Sequence, residues 1–266
     1  MCAGPVPVTI KDIDMMKRTL IFPAAAVCAA VAVTSCGNNN FTAGTIEIAE
    51  KIALADGRAD SLDFKISAEF PRTGLGKEAG MKISSAITEA LFGEEYMSMD
   101  PEAAAEAYKA GLENDYRETN LPMLEVEGLQ DSFMGWTDYT EGKFTASRKD
   151  ILSYTAVKYT YTGGAHGMTS EVALNFDRKT GDLITEENFF KDGYVPALTK
   201  LLTRHLPEAL DSPADTAALF LKEIEPNGNF SITDSGITYI YNQYEIAPYS
   251  MGIIRISIPW EEIEGL

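Results

Sequence analysis

The order of elements along the chain predicts a fold that mixes sheet and helix, and three stretches carry the prediction. Ser61 to Phe70 alternates, with Leu62, Phe64, Ile66, Ala68 and Phe70 on one face, as a half-buried strand does. Two helical stretches follow at Lys77–Phe92 and Ala103–Tyr116. Beyond Pro122 the composition turns towards strands, and Ile151–Tyr161 ends in Thr162-Gly163-Gly164-Ala165-His166-Gly167. Alternating Tyr and Thr suit a pleated surface, and paired glycines permit a bend where a Cβ would obstruct it.

The 266 residues, 45% hydrophobic and 10% aromatic, suffice for one large domain or two small intertwined ones. A formal charge of -18 excludes nucleic acid and anionic lipid as natural partners, since no basic patch neutralises phosphate. The charge has two readings, as solubility alone or as attraction for a cationic partner.

Residues 1–14 show no periodicity and precede Met15-Met16-Lys17-Arg18, so translation is expected to start at Met15 or Met16. A basic pair, the apolar run Leu20–Val33 and then Thr34-Ser35-Cys36 follow. A helix of that run, about 21 Å at ~1.5 Å per residue, falls short of the ~30 Å hydrocarbon core, so residues 1–35 read as a signal peptide. Val33-Thr34-Ser35-Cys36 resembles the lipobox of bacterial lipoproteins, which implies acylation of Cys36 and a membrane held through a lipid anchor. An ordinary secretory signal is the alternative. Cys2, Cys28 and Cys36 are the only cysteines, so cleavage before Cys36 leaves a single thiol and none for disulfides, thiolate catalysis or cysteine-bound zinc. Gly37-Asn38-Asn39-Asn40 opens a tether over residues 36–59, within which Ile46–Ala55 looks helical.

In the body of the chain, Pro71 is expected to end the first strand. Met81, Ile83, Ile87, Ala90 and Leu91 form a stripe on the first helix, which Gly93 stops. Asp100-Pro101 caps the second. Lys143–Asp150 leads into the long strand, and Glu171–Phe176, a polar turn at 177–182 and Leu183-Ile184 read as a hairpin. Thr185-Glu186-Glu187-Asn188 suits a helix start, Tyr194–Leu210 has helical spacing, and Asp215–Glu223 is a further short helix. Strands at Asn229–Asp234, Gly236–Tyr241 and Ile253–Ile258 complete the chain.

Tyr161-Thr162-Gly163-Gly164-Ala165-His166-Gly167, Asn175-Phe176-Asp177 with Thr180-Gly181, Phe189-Phe190, and Tyr241 to Tyr249 with Gly252 together resemble the extracytoplasmic domain shared by the anti-sigma factor RsiV and the PdaC-type deacetylases. The resemblance covers about residues 60–264. It implies an α+β fold with a mixed, mostly antiparallel sheet and helices packed on it, in two intertwined halves at 60–167 and 168–266. RsiV uses the domain to bind lysozyme, PdaC carries it beside a separate catalytic domain that deacetylates peptidoglycan, and neither role transfers whole. Here it implies a sensing or binding domain in the cell envelope, facing the periplasm or the cell surface.

Histidine titrates near neutrality, and His166 sits in a bend that presents it, yet a general base needs an orienting partner and a nucleophile, and the sequence offers neither. His205 reads as a residue at a helix end, meeting carbonyls. Two distant histidines give no metal-ligand spacing, and Arg178-Lys179 spoil the oxygen-rich turn at 177–182 for calcium, so neither metal nor other cofactor is expected. Aromatic residues are the remaining lead. Tyr239, Tyr241, Tyr244, Tyr249 and Trp260 gather near the C-terminus, as one sheet face or as binding hot spots. Tyr244 and Tyr249, in a loop with Pro248 and Gly252, are the ones expected to be exposed, with Glu245 beside them for a basic protein or a sugar hydroxyl. The candidate ligand-binding residues are thus Gly163, Gly164, His166, Tyr244, Glu245 and Tyr249. The expected function is binding without catalysis, of lysozyme or another cationic wall hydrolase. The alternatives are a peptidoglycan or glycan-binding module and, last, a wall-active hydrolase centred on His166.

Overall fold

A computed structural model describes residues 41–129, 132–148 and 150–266. The signal-like segment and Cys36 lie outside the described residues. Strand β1 (Thr42–Ala53) pairs antiparallel with β2 (Ser61–Thr73), and β2 buries Leu62, Phe64, Ile66, Ala68 and Phe70 as its alternation requires. Here the structure departs from the expected tether, because residues 42–53 are a full sheet strand and not a helical or linking segment. Ile46, Ile48 and Ile52 are spaced in even steps, and pairing with β2 decides the conformation of a stretch whose local preference is weak. Pro71 does not end β2 either. Strand β3 pairs with β2 only from Leu62 to Ala68, so beyond that point β2 has one partner and tolerates a residue without an N–H.

Helix α1 (Lys77–Phe92) buries Ala79, Ile83, Ile87 and Leu91 at steps of four. Met81, expected on that stripe, is exposed, because two residues from Ile83 it lies on the opposite side of a 3.6-residue helix. Helix α2 (Pro101–Asn120) starts where Asp100 Oδ1 accepts the N–H groups of Glu102 and Ala103, at 3.0 and 3.4 Å. The two helices carry the chain from β2 to β3 (Trp136–Arg148), which runs parallel to β2. Antiparallel β4 (Ile151–Tyr161) and β5 (Met168–Asp177) complete a sheet of order β1-β2-β3-β4-β5. Phe64, Ile83, Ile87, Tyr116, Tyr154 and Phe176 form its core with the helices.

Strand β5, which the sequence reading assigns to the C-terminal half, therefore belongs to the first sheet. The expected return arm of its hairpin shrinks to one bridge, Phe176 with Leu183. In the turn, Asp177 Oδ1 accepts the N–H groups of Lys179 and Thr180, bonds that lower its carboxyl below the usual range, while Asp182 pairs with Lys82. A reciprocal cap between Thr185 and Asn188 opens α3 (Glu186–Phe189), and α4 (Val195–His205) follows. The helix expected at Asp215–Glu223 is a 3-10 turn at Pro213–Ala218. A second antiparallel sheet, β6 (Phe230–Ile232), β7 (Gly236–Tyr241) and β8 (Ile254–Pro259), packs with α4 and the short α5 (Trp260–Ile263) around Leu198, Leu202, Phe230, Tyr239 and Ile256. The fold is α+β, with two mostly antiparallel sheets and five helices among the described residues. No helix among them is long and apolar enough to cross a membrane.

One buried carboxylate ties the β1–β2 turn to the approach of β3. Asp60 accepts the Met134 N–H at 3.0 Å and the Arg58 Nε at 2.7 Å, and these bonds, the backbone one foremost, hold its pKa below the usual value. A depressed folded-state pKa adds stability that is fully present above the unfolded value of about 3.9 and is lost as pH falls through the folded value. Asp60→Asn is therefore expected to cost about 2 kcal/mol at pH 7, with the deficit shrinking below about pH 4. Urea unfolding of both proteins across pH 3–7 checks this.

Candidate functional site

The glycine bend and the loop at 242–252 form one surface. Strand β4 ends at Tyr161, whose hydroxyl donates to the Gly164 carbonyl at 3.1 Å. Gly163 and Gly164 have φ of 108° and 90°, angles that disfavour a Cβ. Gly167 is needed for a different reason. It is buried, and a Cβ there would come within 2.5 Å of the Tyr159 ring.

On this bend, exposed His166 stacks against Tyr249 with ring centres 3.8 Å apart and planes at 21°. The Tyr249 hydroxyl donates to the Gly167 carbonyl at 2.8 Å, and His166 Nδ1 lies 3.2 Å from that same oxygen. The structure thus brings together His166 and Tyr249, 83 positions apart in sequence, with Tyr244 5.8 Å from Tyr249. Among the described residues His166 meets no hydroxyl, thiol or carboxylate that it could activate.

Tyr244 is the one non-glycine described residue with a positive φ, 67°, and it is 51% exposed. Glu245, exposed beside Tyr244, also braces the loop. Its oxygens accept the Asn242 N–H at 2.7 Å and the Asn227 amide at 2.6 Å, so the carboxylate braces the loop that displays Tyr244. Tyr239 and Tyr241 are buried, their hydroxyls bonded to Glu186 and to the Glu225 carbonyl, and belong to the sheet core. Trp260 lies 4.0 Å from the Arg148 guanidinium.

Side-chain amides hold the loop on the edge of β5. Gln243 Oε1 accepts the Thr169 N–H, Asn242 Oδ1 that of Glu171, and Asn229 Oδ1 that of Ala173, at 2.7 to 2.8 Å. An edge strand whose N–H groups are occupied in this way is closed to pairing with another chain. Glu171 in turn accepts both Nε, at 3.2 Å, and Nη2 of Arg255 from β8. Sequence reasoning missed these residues, because each bond joins positions more than fifty apart and leaves no local pattern. His205 also differs from expectation. It meets carboxylates and not carbonyls, with Nε2 3.0 Å from Glu262 and Nδ1 3.4 Å from Glu208.

A second polar cluster lies under α2. The Tyr108 hydroxyl donates to buried Asp138 at 2.9 Å and accepts from Lys158, whose ammonium is 3.7 Å from Asp138. Burial raises the Asp138 carboxyl above its usual range against the opposing pull of Lys158 and Tyr108. These contacts clasp α2 to β3 and β4.

Two family models match the chain in tandem. Residues 64–169 match that of deacetylase PdaC, and residues 187–261 match that of a protein of unknown function, DUF3298. Among solved structures, a member of the DUF3298 family from Bacteroides fragilis is 25% identical, with a TM-score of 0.78 over 86% of this chain and 94% of that one. A DUF3298 family protein from Pseudomonas aeruginosa is 20% identical, with a TM-score of 0.58 over 84% and 94%, a likeness that speaks to the fold alone. No curated protein matches.

Proposed function

We propose, for a chain that carries the RsiV/PdaC-like domain, that the aromatic loop seated on the glycine bend is the contact surface of a lipid-anchored cell-envelope binding protein. Its partner in this reading is a cationic protein of the lysozyme or wall-hydrolase kind, and Cys36 carries the anchor. The supporting observation is Tyr244. A tyrosine held at φ 67° costs about 1–3 kcal/mol, and such strain concentrates at binding sites. Nothing in the core requires that ring, which faces solvent beside the Tyr249–His166 stack. An exposed, braced tyrosine is a good anchor for a partner, and the charge of -18 would speed encounter with a basic protein in a salt-dependent way.

Calorimetry with lysozyme at low and high salt tests the reading. Binding that weakens with salt is expected, together with at least a tenfold loss of affinity in Tyr244→Gly. That variant should also unfold at higher urea, by about 1 kcal/mol, because glycine accepts the positive φ. An absence of heat at both salt concentrations overturns the cationic partner. The flat stack of His166 on Tyr249 also suits the face of a sugar ring, so sedimentation with insoluble peptidoglycan separates a glycan ligand from a protein one.

A further inference from the structure

Three of the chain's ten methionines, Met81, Met97 and Met99, line one cleft of about 550 Å³ between α1 and the segment leading into α2. Their exposures are 57%, 38% and 38%. Met81 projects from the side of α1 away from its buried stripe. Met97-Ser98-Met99 follows a 3-10 turn at Glu94–Tyr96, and the backbone there is well braced. Ser85, one helical turn beyond Met81, donates to the Met97 carbonyl at 2.7 Å, and the Met99 N–H donates to the Tyr96 carbonyl at 2.9 Å. The scaffold is thus fixed while three thioethers stand at the surface, where they contribute little to the core.

We propose that this cleft binds a soft monovalent cation, Cu(I) or its analogue Ag(I), through the thioether sulfurs of Met81, Met97 and Met99. Neutral, polarisable thioethers select Cu(I) over hard divalent ions. The rest of the cleft points the same way. Its one carboxylate, Asp100, spends Oδ1 on the cap of α2, and Lys77 on its wall repels a doubly charged ion more than a singly charged one, while Arg72 is paired with Glu102 at 3.5 Å. Residues 41–266 contain no cysteine, so thioethers are the only sulfur ligands this part of the chain offers.

The test uses the full chain with Cys2, Cys28 and Cys36 replaced by serine and its methionine methyl groups labelled with carbon-13. It is titrated with Ag(I), and with Cu(I) under reductant. One equivalent is expected to shift the methyl signals of Met81, Met97 and Met99 together and to leave Met123 and Met168, which are similarly exposed, in place. Met97→Leu with Met99→Leu, close in volume, should weaken binding at least tenfold with the circular dichroism unchanged. Met81→Leu is the independent second variant and should weaken it likewise, while Zn(II) and Ca(II) leave all the signals unmoved. The proposal is overturned if the three signals do not shift, if every exposed methionine shifts alike, or if the leucine variants bind Ag(I) as tightly as the parent.

Discussion

Asn175→Ala is expected to destabilise the protein by about 4 kcal/mol and to loosen the second sheet from the first. Asn175 is buried where β6 packs on β4 and β5. Its Oδ1 accepts the Ile232 N–H at 2.8 Å, and its Nδ2 donates to the Phe230 carbonyl at 2.7 Å. The Ser153 hydroxyl sits 2.9 Å from Oδ1 and 2.6 Å from the Ile232 carbonyl, and its single proton serves one of them. The amide therefore does for β6 what a neighbouring strand would do, across a junction between sheets that otherwise form separate hydrophobic cores. Alanine leaves a donor and an acceptor buried without partners, and each such group costs about 1–3 kcal/mol. Urea unfolding followed by both tryptophan fluorescence and circular dichroism is the measurement. The variant should show a lower midpoint and two transitions that no longer coincide. A midpoint within error of the wild type would mean that the Asn175 amide does not hold β6 to the first sheet.

Arg255→Ala is expected to cost about 3–5 kcal/mol, because it strands the Glu171 carboxylate inside the protein. The Glu171 side chain is 8% exposed, and Arg255 supplies it with two charge-assisted bonds from β8. The backbone of Glu171 is already committed, its N–H to Asn242 and its carbonyl to the amides of Asn229 and Asn242. The decisive comparison is with Glu171→Leu/Arg255→Leu. Removing both charges at once avoids an uncompensated buried ion, so the double variant should recover most of the lost stability. If Arg255→Ala and the double variant fall equally, the pair stabilises through packing and not through charge.

The elements that could be read from the chain are those whose cause is local. Leu62, Phe64, Ile66, Ala68 and Phe70 announce β2 because one of its faces is buried and the other is not. Asp100-Pro101 announces α2 because a carboxylate before a proline satisfies the first free N–H groups. β1 was obscured, since its alternation is interrupted by Glu50 and only the register with β2 makes it a strand. Among the candidate site residues, Tyr244 was legible as exposed from the proline and glycine around it. Tyr249, expected to be exposed on the same grounds, is half-buried, because its ring stacks on His166 and its hydroxyl bonds the Gly167 carbonyl. Glu245 was not legible as a brace, because its partner Asn227 lies on a separate segment.

By itself the sequence determined where apolar residues alternate or recur, where helices start, and how acidic the chain is, since these depend on neighbours within a few positions. Only the tertiary structure decided that β5 closes the first sheet, that amides of Asn229, Asn242 and Gln243 seal its edge, and that His166 meets Tyr249. The reason is physical. A buried N–H must find an acceptor wherever the fold brings one, and the acceptor that arrives need not be near in the chain.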